Sequence, residues 1–138
     1  MNYRFLVFAI IVLLSSCNKD KQIQRHLYNK TGKWKIINQK ESFYINDSLT
    51  EVNSYSNYGI ILFSKIGSYQ WNEDNFSDYT IGKWSATSTE ITFESPELRV
   101  FKVKDHSRKE ILMESTEIQS VGGSIYKAIT EISLNKLK

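Results

Sequence analysis

From Thr31 onward, apolar and aromatic residues recur in short runs that turn-forming residues separate. Apolar and polar positions alternate within these runs, which is typical of strands that have one packed face and one wet face. No helix-period stripe of useful length appears in this region. The predicted strands are Lys33–Gln39, Ser42–Ile45, Leu49–Asn53, Gly59–Ser64, Ser68–Trp71, Thr80–Ser85, Glu90–Glu94, Leu98–Lys104, Glu110–Ser115 and Ser124–Leu134. The pattern therefore predicts an all-β domain.

The connections between these strands are short, which favours antiparallel neighbours because a parallel pair needs a crossover of a dozen or more residues. Asn46-Asp47 and Gly122-Gly123 supply residues that tolerate the positive φ angles of hairpin turns. Pro96 falls between strands, where its missing N–H interrupts no ladder. We predict an antiparallel up-and-down meander that forms a small barrel or half-open barrel, since closure removes exposed sheet edges.

Alternation also identifies the side chains that point inward. In the last predicted strand Tyr126, Ala128, Ile132 and Leu134 share one face. The inward aromatic set comprises Trp34, Phe63, Tyr69, Trp71, Trp84, Phe93 and Tyr126. These side chains form the candidate core or, alternatively, line an apolar ligand pocket. We expect mostly solid filling, because little chain length is left for a wide cavity.

The N-terminus has the parts of an export signal. Arg4 lies in a short polar start, an apolar run spans residues 5–14, and the small residues Ser15 and Ser16 follow. The apolar run is shorter than the ~20 residues that a helix needs to cross a bilayer. We therefore interpret residues 1–16 as a signal peptide that is cleaved.

The tetrad Leu14-Ser15-Ser16-Cys17 resembles the lipobox of bacterial lipoproteins. The resemblance implies that Cys17 becomes the first mature residue, with a diacylglycerol on its thiol and an acyl chain such as palmitate on its amine. A simple secretory peptide with a chance cysteine is the alternative. Cys17 is the only cysteine, so no disulfide framework is expected. Asn18 follows the cysteine, so the chain does not resemble Gram-negative lipoproteins in which an Asp at this position is the signal for retention in the inner membrane. We therefore expect a lipid anchor in the outer membrane, facing the periplasm or the outside.

Residues 17–30 are polar and charge-rich, and we interpret them as the lipidated cysteine and a tether with room for a short helix at its end. Residues 31–138 form the predicted barrel domain. Removing the signal peptide takes away one basic residue, Arg4, and no acidic residue, so the mature chain is nearly neutral. That balance argues against a nucleic-acid-binding protein, which normally shows a clustered basic face.

Three segments resemble the lipocalin-like domains of small bacterial lipoproteins: Gly32-Lys33-Trp34, the hairpin at residues 61–69, and Thr80–Ser85 with its second Gly-Lys-Trp triplet. The resemblance covers roughly residues 31–137. It implies an up-and-down β-barrel, sometimes with a central apolar pocket, in which Trp34 packs across one end. The chain is shorter than true lipocalins and lacks a clear C-terminal helix. We interpret the two triplets as convergent use of Gly before an inward Trp, in preference to an internal repeat.

Residues for catalysis or metal binding are sparse. His26 and His106 are the only imidazoles, neither has a plausible triad partner nearby in the sequence, and we expect both to be surface residues. The oxygen-rich stretch at residues 72–78 has no EF-hand spacing, so a solvated acidic loop is favoured over a calcium site. We therefore expect no enzyme activity, no metal and no cofactor.

Two hypotheses about function follow. In the first, the barrel is a membrane-anchored module that binds a small hydrophobic molecule among its inward aromatic residues. In the second, the barrel is a filled scaffold, and the loops predicted at residues 53–57, 72–78 and 104–109 contact an envelope protein or a glycan.

Overall fold

The structure is a computed structural model that describes residues 19–73, 79–95 and 97–138. The predicted signal peptide, the lipidation site at Cys17, Pro96 and most of the oxygen-rich stretch at residues 72–78 lie outside the described residues.

Eight strands form one closed antiparallel barrel. They are β1 (Lys33–Ile45), β2 (Ser48–Phe63), β3 (Ser68–Glu73), β4 (Thr80–Ala86), β5 (Glu90–Glu94), β6 (Leu98–His106), β7 (Glu110–Val121) and β8 (Ser124–Lys136). Each strand pairs with the next one in the sequence, and β8 pairs with β1 to close the barrel. The prediction of an all-β antiparallel meander is confirmed, and the architecture is compatible with a lipocalin-like fold. A helix, α1, covers residues 19–28.

Four of the ten predicted strands are halves of two long strands. Residues 53–57, expected as a loop, lie inside β2, and residues 53–56 pair with β1. The pairing skips one residue of β1 and two of β2 between Ile36–Gly59 and Asn38–Ser56, so the turn-like residues form a bulge instead of a turn. Asn57 takes up a left-handed conformation there, with φ 56°. The hydrogen-bond ladder between β1 and β2 continues on both sides of this bulge, so β2 does not end at its turn-like residues.

The two ends of the barrel differ. β1, β2, β7 and β8 have 12 to 16 residues each, whereas β3 to β6 have 5 to 9. Pairing between β6 and β7 ends at Lys102 and Glu114, and β7 beyond Glu114 pairs with β8 alone. The four long strands therefore project past the short ones at one end, which we call the open end.

The opposite end, which we call the plugged end, is covered by α1. Ile23 and Leu27 are four residues apart, so they share one face of the helix, and both are buried in the core. The indole Nε1 of Trp34 donates a hydrogen bond to the Leu27 carbonyl at 2.8 Å, and Gln24 Nε2 donates to the Ala86 carbonyl at 2.7 Å. Burial of one large aliphatic side chain contributes about 1.5–3 kcal/mol. The segment assigned to the tether thus supplies part of the core.

An aromatic cluster fills the half of the barrel near α1. The ring centroid of Phe93 lies 4.8 Å from that of Tyr69, 5.3 Å from Trp71, 5.8 Å from Phe101 and 5.9 Å from Phe63. Such ring pairs contribute roughly 0.5–1.5 kcal/mol beyond the area that they bury. Solid filling, which the sequence favoured, therefore describes this half of the barrel.

The glycines of the two Gly-Lys-Trp triplets differ in the structural reason that each position requires glycine. Gly32 has a φ of 64°, and a Cβ there would lie 2.1 Å from the Phe63 carbonyl oxygen. Gly82 has no positive φ, and a Cβ there would lie 2.6 Å from the Glu94 carbonyl oxygen and 2.8 Å from Cε1 of Tyr69. Gly82 thus leaves space for the backbone of β5 and for the Tyr69 ring, whose hydroxyl donates to the Ser95 carbonyl. Different local constraints favour convergence over duplication.

We expect Gly32→Ala to destabilise the fold by roughly 3 kcal/mol, because it combines the left-handed backbone cost of about 1–2 kcal/mol with a clash against Phe63. Gly122→Ala is the matched control, since its φ of 59° is similar and nothing lies within 4 Å of the added Cβ. Chemical denaturation measures both. Equal losses of stability in the two variants would contradict the proposed close approach at Gly32.

We expect the docking of α1 to weaken as the pH falls below about 6.5. The His26 ring lies 6.1 Å from that of His106, and burial lowers the pKa of His26, as do the nearby charges of His106, Lys136 and Arg108. The released helix therefore binds protons more readily than the docked helix, so acid favours release. Hydrogen exchange of residues 19–28, corrected for intrinsic rates, should show more opening at pH 5 than at pH 7.5. In His26→Gln that pH dependence should disappear; its persistence would assign the effect to another group.

Candidate functional site

A cavity of about 170 Å³ lies inside the open half of the barrel, and we call it the lumen pocket. An apolar cavity of about 150 Å³ can hold a benzene molecule, so the lumen pocket suits a ligand of similar bulk. Five strands, β1, β3, β6, β7 and β8, contribute its lining, which consists of Gln39, Glu41, Phe43, Trp71, Arg99, Phe101, Ser115, Glu117, Ala128, Thr130 and Ile132.

Strand register explains why these side chains meet. Residues directly opposite in an antiparallel ladder point to the same face. The register across β1, β8 and β7 forms three inward rows: Gln39, Ile132 and Met113; then Glu41, Thr130 and Ser115; then Phe43, Ala128 and Glu117. The middle row is entirely polar. The lumen therefore changes from an apolar core to a polar pocket within one row of residues.

The floor of the lumen pocket is the upper surface of the aromatic cluster. Phe101 and Ile132 are 1% and 0% exposed, and Trp71 is 6% exposed. The Trp71 and Phe101 ring centroids are 6.4 Å apart. A ligand in the pocket would rest on rigid apolar side chains and meet polar groups on the walls, the combination that most small-molecule sites show.

Two buried polar atoms of the pocket lining have no hydrogen-bond partner among the described residues. They are Nε1 of Trp71 and Oε1 of Gln39, whose amide nitrogen donates to Glu41 Oε1 at 3.0 Å. The other two indoles do have partners: Trp34 donates to Leu27, and Trp84 donates to the Ser64 carbonyl at 3.0 Å. An unpaired buried polar group costs about 1–3 kcal/mol. Both side chains line the pocket, but the two unpaired atoms themselves have almost no accessible surface, so a ligand would reach them only after a small side-chain movement.

Charges of both signs surround the pocket. Arg99 approaches from β6, and Glu41 and Glu117 approach from β1 and β7. In the described part of the chain, the ion pairs join Lys40 to Glu131, Lys104 to Glu114 and Lys127 to Asp47, so none of them includes a lining residue. The three pocket charges therefore remain available to a ligand.

Arg99 also acts on a neighbouring hollow of about 230 Å³, which Tyr69 and Trp71 help to line. Burial raises the pKa of Tyr69 above its ordinary value, and the positive charge of Arg99 partly offsets that rise. Tyr69 therefore stays a neutral hydrogen-bond donor to the Ser95 carbonyl across the physiological pH range.

The structure separates the seven predicted aromatic residues by location. Trp34, Phe63 and Trp84 lie in the plugged half, while Tyr69 and Phe93 lie in the middle of the aromatic cluster; only Trp71 reaches the lumen pocket. Tyr126, expected in the core, is 43% exposed, because β8 continues beyond the short strands there. It lines a groove of about 300 Å³ at the open end instead.

The polar lining of the pocket was not predicted from the sequence. Gln39, Arg99 and Ser115 occupy inward positions in strands, and the signal for them is the same alternation that identified the aromatic residues. Arg99 lies two residues before the buried Phe101, and Ser115 lies two residues after the buried Met113. Polar residues in phase with a buried set are the sequence feature that marks this pocket.

The two histidines lie together at the plugged end, at 6.1 Å, and neither lines the lumen pocket. Residues 19–73, 79–95 and 97–138 contain no group of three or more His, Cys, Asp or Glu residues arranged to hold a metal ion. Within the same residues, no helix is both long enough and apolar enough to span a bilayer.

Comparison with known proteins identifies no relative. No protein-family model matches the chain, and neither the curated proteins nor the solved structures contain a match to it.

Proposed function

We propose that this chain is a lipid-anchored cell-envelope protein of the bacterial outer membrane whose lipocalin-like barrel binds a small molecule without catalysis. The observation that carries the proposal is the asymmetry of the lumen. One half is filled and plugged by α1, and the other half holds a pocket whose lining is largely polar and charged and includes two side chains with unpaired buried polar atoms. A barrel that served only as a scaffold would gain stability from apolar side chains at Gln39 and Glu41.

The position of α1 supports an anchored orientation. Asp20 at the start of the described helix accepts a hydrogen bond from the Ser88 amide, in the turn between β4 and β5 at the plugged end. Cys17 precedes Asp20 by three residues, which span at most about 10 Å. Lipid on Cys17 would therefore hold the plugged end near the membrane, and the open end would face away from it.

A second candidate function is contact with an envelope protein or glycan through the open end. Leu49, Ile118 and Val121, on the projecting ends of β2 and β7, are 56%, 65% and 61% exposed. Exposed apolar residues grouped on one surface favour a partner. The loop predicted at residues 104–109 lies at the plugged end, so it does not share a rim with this surface.

We expect native mass spectrometry of the full chain, extracted from membranes in mild detergent, to detect a bound molecule of about 80–120 Da, since a cavity near 170 Å³ accepts a ligand of about the bulk of benzene. Ser115→Phe, which fills the pocket, should remove that mass. Thr116→Phe is the matched control on the outer face of the same strand and should retain it. Ligand-free protein in all three samples would count against small-molecule binding, and a co-purifying protein sensitive to Ile118→Glu would support the second candidate.

We expect Cys17→Ser to abolish incorporation of labelled palmitate and to move the protein from the membrane fraction to the soluble fraction, because two or three acyl chains are needed for stable anchoring. Ser15→Ala is the control, since a small residue at that position preserves the lipobox. Labelling of the Cys17→Ser protein at the level of the unsubstituted chain would show that the anchor lies elsewhere.

A further inference from the structure

We infer that the ligand of the lumen pocket is a zwitterion of about amino-acid size, which carries an ammonium group and a carboxylate, and not a fatty acyl chain. This inference rests on the proposed function and gives the chemical class of the ligand.

One side of the lumen pocket is suited to a carboxylate. The Trp71 indole can only donate a hydrogen bond, so any ligand atom that reaches Nε1 must be an acceptor. Arg99 lines the same pocket from β6 and has no ion-pair partner among the described residues. A guanidinium binds planar carboxylates in a bidentate way and stays charged at any relevant pH. A carboxylate between Trp71 and Arg99 would satisfy both groups.

The other wall of the lumen pocket is suited to an ammonium group. Gln39 Oε1 is an unpaired acceptor, and Glu41 on the same face of β1 keeps lone pairs beyond the one that receives the Gln39 amide. Glu117 adds a second carboxylate from β7, so the pocket has two negative charges against the one positive charge of Arg99. The ammonium group of the ligand would pair with these carboxylates on one wall, while its carboxylate pairs with Arg99 on the other wall.

An acyl chain fits this pocket poorly. An acyl chain offers no partner to any of the three charged side chains that line the pocket, Arg99, Glu41 and Glu117, and burying a charge without a partner opposes binding. The aromatic cluster beneath Trp71 is already filled, so a long chain has no channel to enter. The short apolar floor of Phe101 and Ile132 accommodates only a compact side chain.

The three tryptophans provide a direct readout. Nε1 of Trp34 and Nε1 of Trp84 are already bonded to carbonyl oxygens, whereas Nε1 of Trp71 is free. In ¹⁵N-labelled full-length protein in detergent, the twenty standard amino acids, methylammonium, acetate and laurate are titrated one at a time. We expect at least one amino acid to shift the Trp71 indole resonance in a saturable way and to leave the other two in place. Methylammonium and acetate alone should need about tenfold higher concentrations or more, because each makes only half of the contacts.

Charge-neutralising variants test the two walls separately. Arg99→Gln and Glu41→Gln should each weaken binding of that amino acid about tenfold, the effect of losing one charge-assisted contact. Arg108→Gln at the plugged end and Glu131→Gln on the outer face of β8 are the matched controls and should leave the affinity unchanged. Backbone amide spectra verify that each variant is folded.

Several outcomes overturn the inference, and they separate it from the proposed function. A Trp71 resonance that no amino acid moves, or amino-acid affinities that survive both Arg99→Gln and Glu41→Gln, rules out zwitterion recognition by these walls. If laurate alone shifts Trp71, or if the native mass adduct persists without an amino-acid response, small-molecule binding stands and only the ligand class is wrong. If neither a native mass adduct nor a response to any amino acid is observed, the zwitterion inference and the proposed small-molecule binding are both rejected.

Discussion

The hydrogen bond from the Trp34 indole to the Leu27 carbonyl joins α1 to the barrel wall, and the asymmetry of the molecule depends on that contact. The indole is fully buried, so its N–H must have a protein partner, and the last turn of α1 supplies one. With the helix held there, Ile23 and Leu27 complete the core, and the rings around Phe93 have a closed apolar volume to fill. Without it, both ends of the lumen would be wet.

Most of the fold could be predicted from the sequence, because alternation and turn residues report directly on strands. The exceptions have local causes. Asn53–Asn57 carries the residues of a turn, but pairing with β1 and a single bulge override that preference. The helix was harder to recognise, since ten residues with two apolar positions have a weak periodic signal. Only the tertiary contacts of Ile23 and Leu27 explain why this polar segment is ordered.

The candidate site was less predictable than the fold, and for a physical reason. An inward aromatic residue identifies a core equally well whether the core is solid or hollow, so Trp34 and Trp71 looked alike in the sequence. What distinguishes them is the partner of each indole, and partners depend on the register between distant strands. Only the register of β1, β8 and β7 shows that Gln39 and Ser115 line the same pocket. The resemblance to lipocalin-like domains agrees with the barrel but suggested a more apolar lumen than these rows provide.

The pairing of β8 with β1 has a consequence for the order of folding. β1 and β8 are the first and last strands of the domain, so their pairing, which we call the seam, closes the longest loop in the chain. The formation of the seam therefore has the largest cost in chain entropy. The helix contacts Ala86 and Ser88 near β4 and β5, and the side chain of Lys136, the last residue of β8, donates to the His26 carbonyl. Its complete docking surface therefore exists only after the seam has closed. The first segment of the described chain to be synthesised is thus expected to be the last to reach its place, which leaves the apolar face of α1 exposed while the barrel assembles.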